Sequence, residues 1–499
     1  MQFGSDSKKV ARLPPSLKKE TYNMGSNINE RFPAEVIKMI LSHLNSIEVA
    51  RLSRVCKLWN DIAQSNQSLW RDASYLRTDD AFTFRFRLSE VVERIKILRA
   101  RSGGTLDHLN IQINTIASFK TQMKLLSQLP AMKLQSLRLL LKDGREWAFR
   151  DDDSDFDDSD SDDFDDSDSD SDSDDDDYHY NMTAREKFKS LQKAVRAALS
   201  GCTNLKSLAL EDYGKLLSIL DLSRSESEFY PPSEWELQSF TANGFCCEEF
   251  FGEGSLSRCL NKARVVKIQN SSPMREREAI RLIEAAKDTM EECQITVRKE
   301  QESPNNITKQ IILPKLVKFH LHLCGCHFSE GKSSIQAFDK ISFKWPKLKE
   351  IVLEGRASLK VYERLVPTSI DSLRFRRVRG FRLEQIIEFL KKRAKLRKLA
   401  VEHLEEDTET LLQQILINLW QIPIEDLEII GAHGLHATNI KDFVTQRKEN
   451  IYSAPLERLY LTLRSKSSSE KPMDAKTLQW LDKNIPNFKC DLILERTYR

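Results

Sequence analysis

The sequence predicts an α/β protein: a small all-α module at the N-terminus, then a right-handed βα solenoid with a parallel sheet. Three observations predict it. Residues 27–74 carry three short apolar patterns at helical spacing. A six-residue apolar triplet recurs from Leu106 onward. Amphipathic helical stretches stand between the triplets, so strand and helix alternate.

The N-terminal module comes first. Pro33 suits the first turn of a helix, where its missing N–H would have no partner. Val36, Ile37, Ile40, Leu41 and Leu44 then form an apolar stripe at helical period. Ser46 is placed to cap a second helix, with Glu48 in its first turn, and that helix carries Val49, Leu52 and Val55. A third brings Trp59, Ile62 and Ala63. So small a core is marginal alone. Phe32, Pro33, Ile37, Leu41, Val55, Cys56 and Trp59 exceed what such a bundle can bury, so apolar surface is expected to remain.

Taken in order, Phe32-Pro33, Ile40-Leu41-x-x-Leu44, Val55-Cys56-x-x-Trp59 and Leu69-Trp70-Arg71 resemble an F-box. The resemblance implies docking onto a Skp-family adaptor and, through it, cullin and RING subunits of a ubiquitin ligase. It also implies that the seven residues named above contribute to the adaptor-facing surface. Phe32 stands where Leu is commoner, and Ile47-Glu48-Val49 replaces the frequent Asp-Leu step. The competing reading is an ordinary three-helix start whose apolar residues all face inward.

The repeat unit is apolar-x-x-apolar-x-apolar. It begins at Leu106, Leu134 and Leu205, weakly at Leu237, Leu260 and Met290, and clearly at Leu316, Leu348, Ile370, Leu396, Ile424 and Leu456. A degenerate copy begins at Asn487. The fourth and sixth positions are i and i+2 on a strand and point to one face, and the residue between them points to the other. Ala184–Leu199 and Leu383–Phe389 read as intervening helices. HEAT or armadillo helices would not place a compact triplet such as Leu459-Tyr460-Leu461 at each repeat start. The spacing, with Asn114 and Cys324 at the ninth position, resembles divergent F-box proteins with C-terminal leucine-rich repeats. The expected division is a disordered basic tail 1–26, an F-box 27–75 and a leucine-rich-repeat solenoid 76–499 of about 12–13 irregular repeats.

One step between repeats is 71 residues long, and an insertion explains it. Asp151–Asp177 holds 18 Asp, seven Ser and two Phe, a composition that cannot bury enough surface to fold, so a disordered insertion at 150–179 is expected. Ser154, Ser159, Ser167, Ser169, Ser171 and Ser173 each have Asp three positions on, which suits an acidophilic kinase. A solubilising spacer is the other reading. The chain's net +2 includes those 18 negative charges, so the other 472 residues carry +20.

Little chemistry is visible. Cys324-Gly325-Cys326-His327 lacks the second ligand pair of a zinc site, and Cys246-Cys247 has no His or Asp context that would make a nucleophile. No phosphate-cradling glycine loop, nucleophile elbow or His-Glu-x-x-His occurs. A non-catalytic protein without cofactor or metal is therefore expected. Scattered cysteines and the lack of a long apolar run point to reduced thiols in the cytoplasm or nucleus and no membrane partner. Arg374 and Arg376, between Leu373 and Phe375, are candidate anion contacts, but no nucleic-acid fold motif accompanies them. The residues expected to meet a target protein are those inside the triplets: Asn110, Arg138, Thr241, Gln294, His320, Arg374, Glu428 and Tyr460, with Arg376 beside them. The expected function is substrate recruitment for a Skp–cullin–F-box ligase. The alternatives are a Skp-bound scaffold that delivers no substrate, or a basic nucleic-acid-associated solenoid.

Overall fold

The computed structural model describes residues 32–73, 88–114, 119–142, 184–212, 229–244, 247, 251, 254–269, 273–298, 309–324, 338, 341–356, 359–379, 383–402, 416, 422–432, 437–450, 454–465 and 473–494. The basic tail 1–26, the acidic insertion and its six candidate phosphorylation serines lie outside these residues. The chain divides into two compact units, one ending at Trp70 and one starting at Arg71.

The first unit is helical: α1 (Ala34–Ser42), α2 (Ser46–Leu52) and α3 (Lys57–Ser65), followed by a 3-10 turn at Gln67–Trp70. Pro33 is the N-cap of α1, where its carbonyl accepts from the N–H groups of Val36 and Ile37. The second helix is capped by Asn45 rather than Ser46. Asn45 Oδ1 accepts from Glu48 N (3.1 Å) and Glu48 Oε2 accepts from Asn45 N (3.0 Å), a reciprocal capping box. Ile37, Leu41, Val49, Trp59, Ala63, Leu69 and Trp70 are buried, and the Trp70 indole donates to Ala63 O at 2.7 Å.

The second unit is mixed α/β around one large parallel sheet. Its strands are β1 (Asp72–Ala73), β2 (His108–Asn114), β3 (Ser136–Lys142), β4 (Ser207–Asp212), β5 (Ser239–Asn243), β6 (Val265–Gln269), β7 (Met274–Arg275), β8 (Glu292–Arg298), β9 (Lys309–Ile312), β10 (Lys318–Cys324), β11 (Ile341–Lys344), β12 (Glu350–Arg356), β13 (Ser372–Arg379), β14 (Lys398–Glu402), β15 (Asp426–Ala432), β16 (Arg458–Ser465) and β17 (Asn487–Leu494). All but β9 and β11, which pair with each other, lie in a 15-stranded sheet in chain order, with β7 as a side pairing on β8. The sheet starts at Asp72, earlier than the expected boundary at 76, because β1 pairs with β2.

Helices between the strands are α4 (Leu88–Arg101), α5 (Phe119–Gln128), α6 (Ala184–Gly201), α7 (Ser255–Cys259), α8 (Glu276–Ala285), α9 (Leu359–Leu365), α10 (Leu383–Lys391), α11 (Ala437–Glu449) and α12 (Ala475–Asn484). Between β3 and β4 the chain passes through the acidic tract and α6, yet the two strands pair directly, Ser136 opposite Ser207.

The register explains the triplets. Leu109, Leu137, Leu208, Phe240, Val266, Cys293, Phe319, Ile351, Leu373, Leu399, Leu427 and Leu459 are Cα partners along one row, all buried. A second buried row runs two residues on, from Ile111 to Leu461, and the first position of each unit is buried too. A carbonyl just before most strands of the large sheet also takes two N–H groups from the next strand's entry. Gln135 O accepts from Lys206 and Ser207, and Glu425 O from Glu457 and Arg458. Two expected phases need correction. Val266 and Ile268 are the buried pair of β6, so that unit begins at Ala263 rather than Leu260. Phe488 pairs with Leu459, so the last begins at Ile485 rather than Asn487.

Two buried arginines pin helix ends to neighbouring connections. Arg393, after α10, donates to Val366 O (2.9 Å) and to Phe389 O. Arg447, in α11, donates to Ile422 O (2.9 Å), Ile424 O (2.6 Å) and Ala454 O (2.5 Å).

Candidate protein-interaction surfaces

On the helical unit, α1 is apolar on two sides. Ile37 and Leu41 face inward, while Met39 (57 % exposed) and Ile40 (37 %) face out, with Val36 half-buried beside them. Val55 (60 %), at the turn before α3, and Phe32 (41 %), before α1, are exposed as well. Large apolar side chains at such exposure, so close together in sequence, suit a binding face better than a free surface.

The sequence-based set therefore splits. Phe32, Pro33 and Val55 are exposed, and Cys56, the N-cap of α3, is half-buried. Ile37, Leu41 and Trp59 are buried and serve as the unit's own core, so they are corrected from surface to packing residues. Met39 and Ile40 take their place at the surface. Helical period alone misses this, because a stripe one residue wider on either side reads the same in sequence.

The second candidate surface is the polar face of the sheet. Asn110, Arg138, Thr241, Gln294, His320, Arg374, Glu428 and Tyr460 all fall in one row of the register, at the place between the two buried rows. Lys267 and Lys489 belong to the same row. They were hidden by the two misplaced phases. Two residues on, a parallel row includes Glu211, Thr296, His322, Glu354, Arg376, Glu402 and Thr462.

Charge on this face is largely cancelled across strands. Arg138 Nε donates to Glu211 Oε1 at 2.6 Å. From β10 to β16 the ion pairs run as a ladder. His320 Nε2 lies 3.3 Å from Glu354 Oε2, and Glu354 lies 3.8 Å from Arg376. Arg376 donates to Glu402 at 2.7 Å, and Arg374 joins Glu402 to Glu428, the latter at 2.8 Å. Arg458 then bridges Glu428 (2.8 Å) and Asp426 (2.7 Å). The carboxylates of Glu354 and Glu402 are buried while the guanidinium groups stay partly exposed. Burial pushes the Glu354 carboxyl up, but the His320 hydrogen bond and the charges of His322 and Arg376 outweigh it and leave it below its ordinary value. Burial, assisted by His320, Arg377 and Arg376, holds His322 below its ordinary value against the pull of Glu354. Arg374 and Arg376, expected as anion contacts, are instead tied to carboxylates of their own sheet.

Among the described residues, no group of three or more His, Cys, Asp and Glu could hold a metal ion, and no helix is long and apolar enough to cross a membrane. Cys324 is half-buried at the end of β10, and 325–327 lie outside the described residues. Burial raises the thiols of Cys202 and Cys259 to about 12, which suits packing rather than nucleophilic attack.

Residues 30–75 match the F-box-like family model. They are an F-box-like domain. The match contains all of α1 to α3, the exposed Phe32, Met39, Ile40 and Val55, and the first strand of the sheet. No curated protein matches the chain.

Proposed function

We propose that the chain is a non-catalytic, substrate-recruiting subunit of a Skp–cullin–F-box ubiquitin ligase, acting in the cytoplasm or nucleus. The observation that carries the reading is the F-box-like match over 30–75 together with four large apolar side chains left exposed inside it. Such domains typically dock Skp-type adaptors, and burying those side chains on a partner would supply the driving force. The sheet unit is read as a right-handed leucine-rich-repeat solenoid. In-order parallel strands, a repeated buried triplet and intervening helices support that reading. Its polar row would hold the target, and proximity to a ubiquitin-charged enzyme would supply the rate.

Co-purification tests the adaptor link. A Skp-family protein should accompany the chain, and Met39→Asp with Val55→Asp should weaken capture by about tenfold or more. Trp59→Ala is a poor probe, because it removes core. Adaptor capture unchanged by the double variant would refute the assigned face. Target proteins that accumulate on cullin inhibition would support degradation, and none accumulating would favour a scaffold. The ladder around Arg374 and Arg376 gives the nucleic-acid alternative no free cations at those two residues.

A further inference from the structure

Strand β17 lies at the outer end of the sheet order, and among the described residues it pairs with β16 alone. Asn487 donates its N–H to Glu457 O at 3.1 Å, so that residue turns its backbone groups toward β16. Backbone direction alternates along a strand. Residues 489, 491 and 493 therefore also face β16, and residues 488, 490, 492 and 494 turn their N–H and C=O groups outward. Phe488 and Cys490 continue the two apolar rows but are only half-buried, whereas Leu459 and Leu461 beside them on β16 are buried. On the polar face, Lys489 Nζ lies 3.1 Å from Asp491 Oδ2.

We propose that β17 is the seam of a homodimer, two copies pairing antiparallel and edge to edge with Cys490 opposite Cys490 of the second copy. Backbone bonds across such a seam require outward-facing residues to oppose one another. Three central registers satisfy this, centred on 489, 490 or 491. Centring on Lys489 sets lysine against lysine, and centring on Asp491 sets aspartate against aspartate. Like charges directly opposite are destabilising, and opposite charges attract. Only the register centred on Cys490 sets each Lys489 against Asp491 of the other copy, twice by symmetry. That arrangement is isologous and closes on itself, so the β17 edge is not left open for fibre growth.

Sedimentation equilibrium on the full chain tests the proposal. The expected mass at micromolar concentration is twice the 57.8 kDa of one chain. Lys489→Glu and Asp491→Lys should each raise the dissociation constant, by about 10- to 30-fold, because both symmetry-related pairs become like-charged. The two changes combined should restore dimerisation, since Glu then opposes Lys. On the unmutated chain, a short bismaleimide should join Cys490 to Cys490 of the second copy, read by peptide mass. A monomer throughout, a dimer unmoved by either single change, a double variant no better than the singles, or linkage only through other cysteines would each overturn it.

Discussion

Removing Arg374 should cost more than removing Glu402, although the two are bonded to each other. Arg374→Ala deletes charge-assisted bonds to Glu402 and Glu428, each worth about 1.5–3 kcal/mol. It leaves the Glu402 carboxylate, only 5 % exposed, with Arg376 as its remaining cation. The expected loss is about 2–4 kcal/mol. Glu402→Ala also deletes two bonds, but the freed guanidinium groups are 34 % and 46 % exposed, so water reaches their vacated donors. It also removes the most buried carboxylate of the ladder. The expected loss is about 1 kcal/mol. A repeat array loses stability locally, so hydrogen exchange of peptides from β13 to β15 is a sharper measure than a global melt. If Glu402→Ala proves the more damaging, the picture of buried carboxylates held by half-exposed arginines is wrong.

Other perturbations have equally definite outcomes. Arg447→Met takes a guanidinium donor from three carbonyls, of which Ile422 O keeps the Ile424 N–H, and should cost about 2–3 kcal/mol, seen as faster exchange around residues 422–424 and 454. Gly355→Ala should cost about 3 kcal/mol in denaturant unfolding, because a Cβ there would lie 2.0 Å from Leu323 O at a φ of +93°. Lowering the pH below 6.5 should weaken the sheet around β10 and β12, since unfolded His322 takes up a proton that folded His322 resists. Comparing His322→Gln with the parent across that window should show a shallower slope for the variant.

The strands were legible because their signal is local: a buried pair two residues apart with a third apolar residue three positions earlier. The signal failed where another apolar residue sat three positions out of phase, as with Leu260 before Ala263. It also failed at the last unit, where Cys490 and Leu492 offer a second apolar pair two residues on from Phe488 and Cys490. Helix α1 was legible as a helix but not by face, since Ile37 and Ile40 are chemically alike and only packing on α3 distinguishes them. The ion-pair ladder was out of reach. Arg374 and Glu428 are 54 residues apart, and their meeting depends on the register of β13 on β14 and of β14 on β15.

The order of strands in the sheet also bears on how this chain would yield to force. Among the described residues each strand bonds only to strands within two places of it in chain order, so no early strand is paired to a late one. A motor drawing the sheet apart from the β17 side would free one strand and helix at a time, meeting a train of small barriers instead of one large one. Buried anchors such as Arg447 and Arg393 would set the taller steps in that train.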